Sequence, residues 1–337
     1  MIRRLLALTP AFALTGCGGA QSVLDPASDQ AASVFGVWTL MLWICGIMYA
    51  LVLAFLALAI WRARRGLAGP PLAEGQKSPA DRPLLRWLTG WVGLVVAGLL
   101  VLTFGSFLVD RQLAMADQRN ALTVRITGYQ WWWRVEYDDP VPSRRFVTAN
   151  ELHLPVDRPV RLELEAGDVI HSFWVPNLSG KQDLIPGRTN RLLVTPRRIG
   201  QFRGQCAEFC GLQHAWMALD VTVEPQTTFA AWAEAQRRAP PAPATAQAVH
   251  GRDVFVGAAC NSCHQVVGQP AQGQTGPDLT HLASRRSLAA GARPYSRTAL
   301  DEWLKNPQAL KPGNHMPLVK MRPEERAALV AYLDTLK

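Results

Sequence analysis

Between residues 205 and 217 the chain carries two thiols (Cys206, Cys210), an imidazole (His214), a thioether (Met217) and a carboxylate (Glu208). Soft sulfur donors beside imidazole select copper or zinc over magnesium or calcium. Gaps of four, four and three residues bring the thiols, imidazole and thioether to one point only if the segment is a compact loop. A disulfide between Cys206 and Cys210 would leave His214 and Met217 unexplained. The set needs one more ligand. His171, in Asp168-Val169-Ile170-His171-Ser172, lies at the end of an earlier strand, and sheet pairing could bring it beside the loop, as a distant strand supplies one His to blue-copper sites.

A second constellation is Cys260-Asn261-Ser262-Cys263-His264, the attachment sequence of a c-type haem. The two thiols add to the vinyl groups and His264 supplies the imidazole below the iron. A zinc site would require two further soft ligands, and no second Cys pair follows. A redox dithiol would have no need of His264. For the sixth ligand the tail offers Met316, Met321, His315 and His281.

Three kinds of element must hold these groups. Residues 34–61 and 87–109 are apolar and free of charged side chains, and each exceeds the roughly 20 residues that cross about 30 Å of hydrocarbon. The loop between them is rich in Arg and Lys, so it is expected on the cytoplasmic side and both flanks outside. Beyond residue 110, Val124/Ile126, Val160/Leu162/Leu164 and Leu219/Val221/Val223 alternate with polar residues, which predicts half-buried strands closed by a helix over 227–238. Residues 239–248 form a Pro/Ala linker. After it the pattern turns helical over 251–259, 295–306 and 323–336.

The 337 residues carry a net charge of +9 that is not gathered into one block, which argues against a nucleic-acid binder. Six cysteines divide into Cys17, Cys45 and the pairs 206/210 and 260/263, leaving no obvious structural disulfide. Residues 1–16 have Arg3 and Arg4 followed by an apolar run too short to span a bilayer. They end Leu14-Thr15-Gly16-Cys17, which resembles a bacterial lipobox and implies lipidation of Cys17.

Residues 30–235 resemble subunit II of cytochrome c oxidase. The likeness rests on His171, the 206–217 loop, Gly128-Tyr129-Gln130-Trp131-Trp132-Trp133 and Ile185-Pro186-Gly187-Arg188. It implies a binuclear copper centre bridged by Cys206 and Cys210. His171 and His214 would each bind one copper, and Met217 and the Glu208 carbonyl would complete the shells. The Glu208 side chain would reach a magnesium ion shared with the large catalytic subunit I. Trp131 would receive electrons from a donor, although Tyr129 stands where the family has His and Trp132 adds a third indole. Residues 250–337 resemble a class I cytochrome c, with Gly251, Phe255, Gly276-Pro277-Asp278-Leu279, Leu329 and Tyr332 in place. That resemblance implies Met316, of the Met316-Pro317 pair, as the haem's sixth ligand.

The expected fold is a multidomain membrane protein. A signal peptide (1–17) precedes a transmembrane helical hairpin (30–110). A cupredoxin-like all-β Greek-key sandwich (111–238), the linker (239–248) and an all-α cytochrome c domain (249–337) follow. The expected role is electron transfer from fused haem to copper and on to subunit I, where oxygen becomes water and protons are pumped. It would sit in the bacterial inner membrane with its soluble domains periplasmic, fed by a soluble or membrane cytochrome c or an upstream respiratory complex. A free-standing membrane-anchored electron carrier stays open on the residues alone. A copper-delivery protein would have no use for Met217 or the haem domain. A quinol oxidase subunit on this scaffold would typically lack the copper ligands.

Overall fold

A computed structural model describes residues 18–66, 81–115, 120–269 and 273–337. Cys17 and most of the basic loop between the apolar segments lie outside the described residues. The chain divides into two units, residues 33–116 and the remainder.

The smaller unit holds most of two long helices, α1 (Asp29–Arg64) and α2 (Asp81–Ala114). Both are long and apolar enough to cross a membrane. Their Leu, Val, Ile and Phe side chains are largely exposed, the arrangement expected where lipid rather than water covers the surface. The helices touch through Phe55 and Trp91, edge to face at 5.8 Å. Gly98 and Gly105 stand close to Ile44 and Leu40, small residues letting two backbones approach.

The larger unit begins with the β-domain, built as two five-stranded sheets. One contains β1 (Leu122–Tyr129), β2 (Trp132–Asp138), β3 (Phe146–Ala149), β5 (Val160–Ala166) and β8 (Asn190–Val194), in the order β3-β2-β1-β5-β8. The other contains β4 (Glu151–Pro155), β6 (His171–Trp174), β7 (Gln182–Leu184), β9 (Gly200–Cys206) and β10 (Ala218–Glu224), in the order β4-β10-β9-β6-β7. Strands β1 and β5 pair in parallel, as do β4 and β10. The period-two residues do what alternation requires: Val124, Ile126, Leu162, Leu164, Val221 and Val223 are buried between the sheets. This is a cupredoxin-like sandwich, and helix α3 (Gln226–Gln236) closes it with Phe229, Ala233 and Trp232 packed on its core.

Residues 18–29, between the expected signal peptide and hairpin, pack on this domain. The Ala27 N–H donates to the Asn177 carbonyl, and Arg197 clamps Asp29 and Asp157.

The C-terminal domain is helical: α4 (Ala246–Gly257), α5 (Arg297–Lys305), α6 (Pro307–Leu310) and α7 (Pro323–Leu333). Helix α4 starts inside the stretch read as linker. The Thr245 hydroxyl accepts the Ala248 N–H at 3.1 Å and caps the helix, so the connection shortens to 239–244. A core of Phe255, Leu300, Leu329, Tyr332 and Leu336 joins α4, α5 and α7.

Candidate metal and haem centres

Register brings the soft donors together. His171 opens β6 rather than ending a strand, and β6 pairs with β9 so that Phe173 faces Cys206. The loop after β9 then turns back, and the Cys206 N–H donates to the Met217 carbonyl at 2.9 Å. Within this turn the two sulfurs stand 3.7 Å apart, well beyond the roughly 2.05 Å of a disulfide. Each sulfur has its own imidazole: His171 Nδ1 at 3.8 Å from Cys206 and His214 Nδ1 at 3.6 Å from Cys210. The Glu208 carbonyl lies 3.2 Å from Cys206 Sγ and the Met217 Sδ 3.9 Å from Cys210 Sγ. His171, Cys206, Cys210 and Met217 are buried. The six predicted donors thus form two parallel half-sets, one thiol and one imidazole in each. The Glu208 carboxylate points elsewhere, half-exposed and 3.9 Å from Lys181.

Two residues given no part from sequence orient this cluster. Asp168 accepts from His171 Nε2 at 2.9 Å, which turns Nδ1 toward the sulfurs, as carboxylates do for metal-bound histidines. It also takes the Gln130 and Val169 N–H groups. Burial opposes the Asp168 charge, but these bonds outweigh it and hold the carboxyl below its usual range. Gln130 and Trp131 both donate to the Cys210 carbonyl, at 2.8 and 2.9 Å, and fasten the loop. Asp168 stands three residues before His171; that spacing is the one sequence signal that could have marked it.

The thiol pair shares a proton unequally. The hydrogen bond between the two thiols, against the cost of burial and with help from His171, holds Cys206 well below the ordinary thiol value. The proton stays on Cys210, whose thiol is correspondingly raised. A ready thiolate between two imidazoles and a thioether fits copper, one of the soft cations this donor set selects. Of the three indoles, Trp133 is core and Trp132 stacks on Tyr129 at 4.9 Å. Trp131 is buried against the C-terminal domain, its ring 6.1 Å from that of His315.

In the helical domain Cys260 and Cys263 are free and half-buried. His264 donates from Nδ1 to the Pro277 carbonyl at 2.7 Å, leaving Nε2 as the nitrogen for a ligand. Burial lowers its pKa and keeps the ring neutral, the form that binds iron. Two thiols and a neutral, oriented imidazole fit a covalent haem. Met316 is partly buried and packs against the core of the haem domain, as Cys260 and Met321 also do. Its loop is held by Asn314, which accepts the Met316 N–H at 2.9 Å, and by Gln308, which donates to the Met316 carbonyl. Of the other sixth-ligand candidates, His281 is buried and His315 is turned toward Trp131.

Known proteins agree with both halves. Residues 140–224 match the family described as cytochrome c oxidase subunit II, periplasmic domain, and residues 248–337 match cytochrome c. Cytochrome c oxidase subunit 2 of Alkalihalophilus pseudofirmus is 32% identical over 330 residues, covering 96% of this chain and 94% of that one. The Bacillus subtilis protein of the same name is 30% identical, covering 99% and 96%. Among solved structures, the periplasmic domain of subunit II of cytochrome oxidase of Bradyrhizobium japonicum is 34% identical over 34% of this chain and 93% of that one, with a TM-score of 0.33. These relatives match nearly the whole length of the chain, and the chain belongs to the cytochrome c oxidase subunit II family, subunits of an oxidoreductase, here with a cytochrome c domain at its C-terminus.

Proposed function

We propose that this chain is the electron-transfer subunit of a haem–copper oxidase. It would pass electrons from a haem c on Cys260, Cys263, His264 and Met316 to a binuclear copper centre, and on to subunit I for oxygen reduction and proton pumping. The observation that carries this reading is the pairing of two thiols 3.7 Å apart, each with its own imidazole. Two coppers held by Cys206 and Cys210 would supply a one-electron couple in which charge is shared and little atomic rearrangement is needed.

The protein's part is to hold that geometry still. Asp168 and the Cys210 carbonyl bonds fix the ligands, and burial excludes water. His171 and His214 would each serve one copper, with Met217 and the Glu208 carbonyl completing the shells. Trp131, bonded to the carbonyl of a bridging ligand, is the residue through which electrons would reach the copper. The Glu208 carboxylate, free of the copper cluster, would hold a magnesium ion with subunit I. The two apolar helices would place the soluble domains on the periplasmic face of the inner membrane, with Cys17 lipidated. A cytochrome c or an upstream respiratory complex would reduce the haem.

Metal analysis and electron paramagnetic resonance on the detergent-solubilised full chain test this. Two coppers sharing one unpaired electron and one covalent haem per chain are expected. One isolated, labile copper would sink the binuclear assignment and favour copper delivery. Met316→Ala is expected to change the haem's spin state; an unaltered spectrum would assign the sixth position to another residue.

A further inference from the structure

The haem and copper domains meet through a built interface, and its centre is a lysine that the chemistry described above does not use. Lys311 is 2% exposed. Its ammonium donates to three carbonyls: Trp131 at 2.7 Å, Trp216 at 2.8 Å and Ala289 at 2.8 Å. The first two belong to the copper domain, one on the turn between β1 and β2 and one next to Met217. The third belongs to the haem domain. An ammonium has three N–H donors, and here every one is used.

Around this point the loop carrying Met316 lies on the copper loop. Gln213 donates to the Pro312 carbonyl at 2.7 Å, and His315 faces Trp131. A second patch flanks the first. The Ala218 N–H donates to the Ala290 carbonyl at 2.9 Å, Ser287 bonds Asp220, and Arg286 bonds Gln201. Arg285 reaches Glu151 at 3.6 Å. Gly291 has φ +80, and a Cβ there would come within 2.8 Å of the Ala218 Cβ, so the backbones approach more closely than any side chain permits.

We propose that Lys311 is the positioning residue of an intramolecular dock that seats the haem domain on the copper loop with the Met316 loop against Trp131. The tether alone would give high effective concentration without orientation. The dock gives orientation, because a buried ammonium with three carbonyl partners tolerates little displacement before it loses them. The proposal rests on the electron-transfer reading only for its consequence; the dock itself is tested without it.

The Ala218 amide is the reporter. It lies on β10, but its hydrogen bond crosses to the haem domain. In the full chain loaded with haem and copper, it should be protected from hydrogen–deuterium exchange. Lys311→Met keeps the stem and removes the donors, leaving three buried acceptors unpaired. Exchange at Ala218 should then rise about a hundredfold, the order expected when buried acceptors lose their hydrogen-bond donor. Haem and copper spectra should not change. Electron transfer from flash-reduced haem to copper should slow at least about tenfold, following the docked fraction.

Wild-type protection and wild-type transfer in the Lys311→Met chain would overturn the proposal, as would an unprotected Ala218 in the parent. If Lys311→Met does not accumulate with its cofactors, the outer-patch variant Arg286→Ala/Ser287→Ala takes its place: unchanged Ala218 exchange overturns the dock, and faster exchange upholds it. No haem-to-copper transfer in a parent chain with a protected Ala218 would overturn the electron-transfer reading and leave the dock standing.

Discussion

His153, on β4, sits between two carboxylates with its ring stacked on Trp232 at 4.0 Å. Glu224 meets Nδ1 at 2.9 Å and Glu151 lies 3.8 Å from Nε2, while Arg285 approaches Glu151 from the haem domain. Burial alone would lower the imidazole's pKa, but the two carboxylates outweigh it and raise the value to about 8. The raised value means that the charged ring stabilises the folded chain. That stability is fully present below the unfolded value near 6.5 and is lost as pH climbs through about 8. Between those limits the β-domain should lose about 2 kcal/mol, at roughly 1.36 kcal/mol per pKa unit. Thermal unfolding of the full chain from pH 6 to 8.5 measures it. His153→Gln should flatten the profile in that window; a slope that survives the substitution would belong to another group.

Helices α4 and α7 cross where a side chain would not fit. A Cβ on Gly251 would stand 1.9 Å from the Ala328 carbonyl oxygen, a backbone atom that cannot swing aside. Gly251→Val is therefore expected to pry the helices apart and cost the haem domain about 3 kcal/mol, the upper part of the usual range for overpacking. Gly257, at the end of the same helix, meets nothing within 4 Å, so Gly257→Ala should be neutral or stabilise by about 0.5 kcal/mol. Unfolding followed at the haem band separates the two. Equal effects would mean that the crossing is looser than its geometry.

Across the larger unit, two mechanisms could bring haem to copper: a short tether or a specific dock. They respond differently to linker length. Closing a loop twice as long costs only about 0.6 kcal/mol, so six Gly/Ser residues inserted into 239–244 should leave the haem-to-copper rate within about threefold if the interface sets the geometry. A much larger loss would mean that the tether positions the haem domain. The shortened linker makes this comparison a demanding one, since Thr245 already belongs to the cap of α4.

Much of the protein was legible in residue types and periods. The apolar runs, the alternating strands and the helical tail each follow from a local rule, and α1, α2 and the sandwich core appear where those rules put them. Cys260–Cys263–His264 is a contiguous motif and so needed no fold to be read. The copper loop was half legible. Its sulfurs and His214 lie within one turn of chain, but His171 joins them only because β6 pairs with β9. Asp168, Gln130 and Lys311 were silent, because an acid, an amide and a lysine have no meaning until a partner is placed beside them. The linker boundary shifted for a similar reason: a Thr is a cap only when a helix starts after it. The sequence by itself determined the class of donors this chain offers, soft ligands for copper or zinc in the 206–217 loop and a haem attachment motif at 260–264, since donor type is a property of the side chain. Tertiary structure alone decided which imidazole nitrogen faces the sulfurs, which carbonyls receive the Lys311 ammonium and that Trp131 lies beneath the haem domain, because those are facts of distance between segments far apart in the chain.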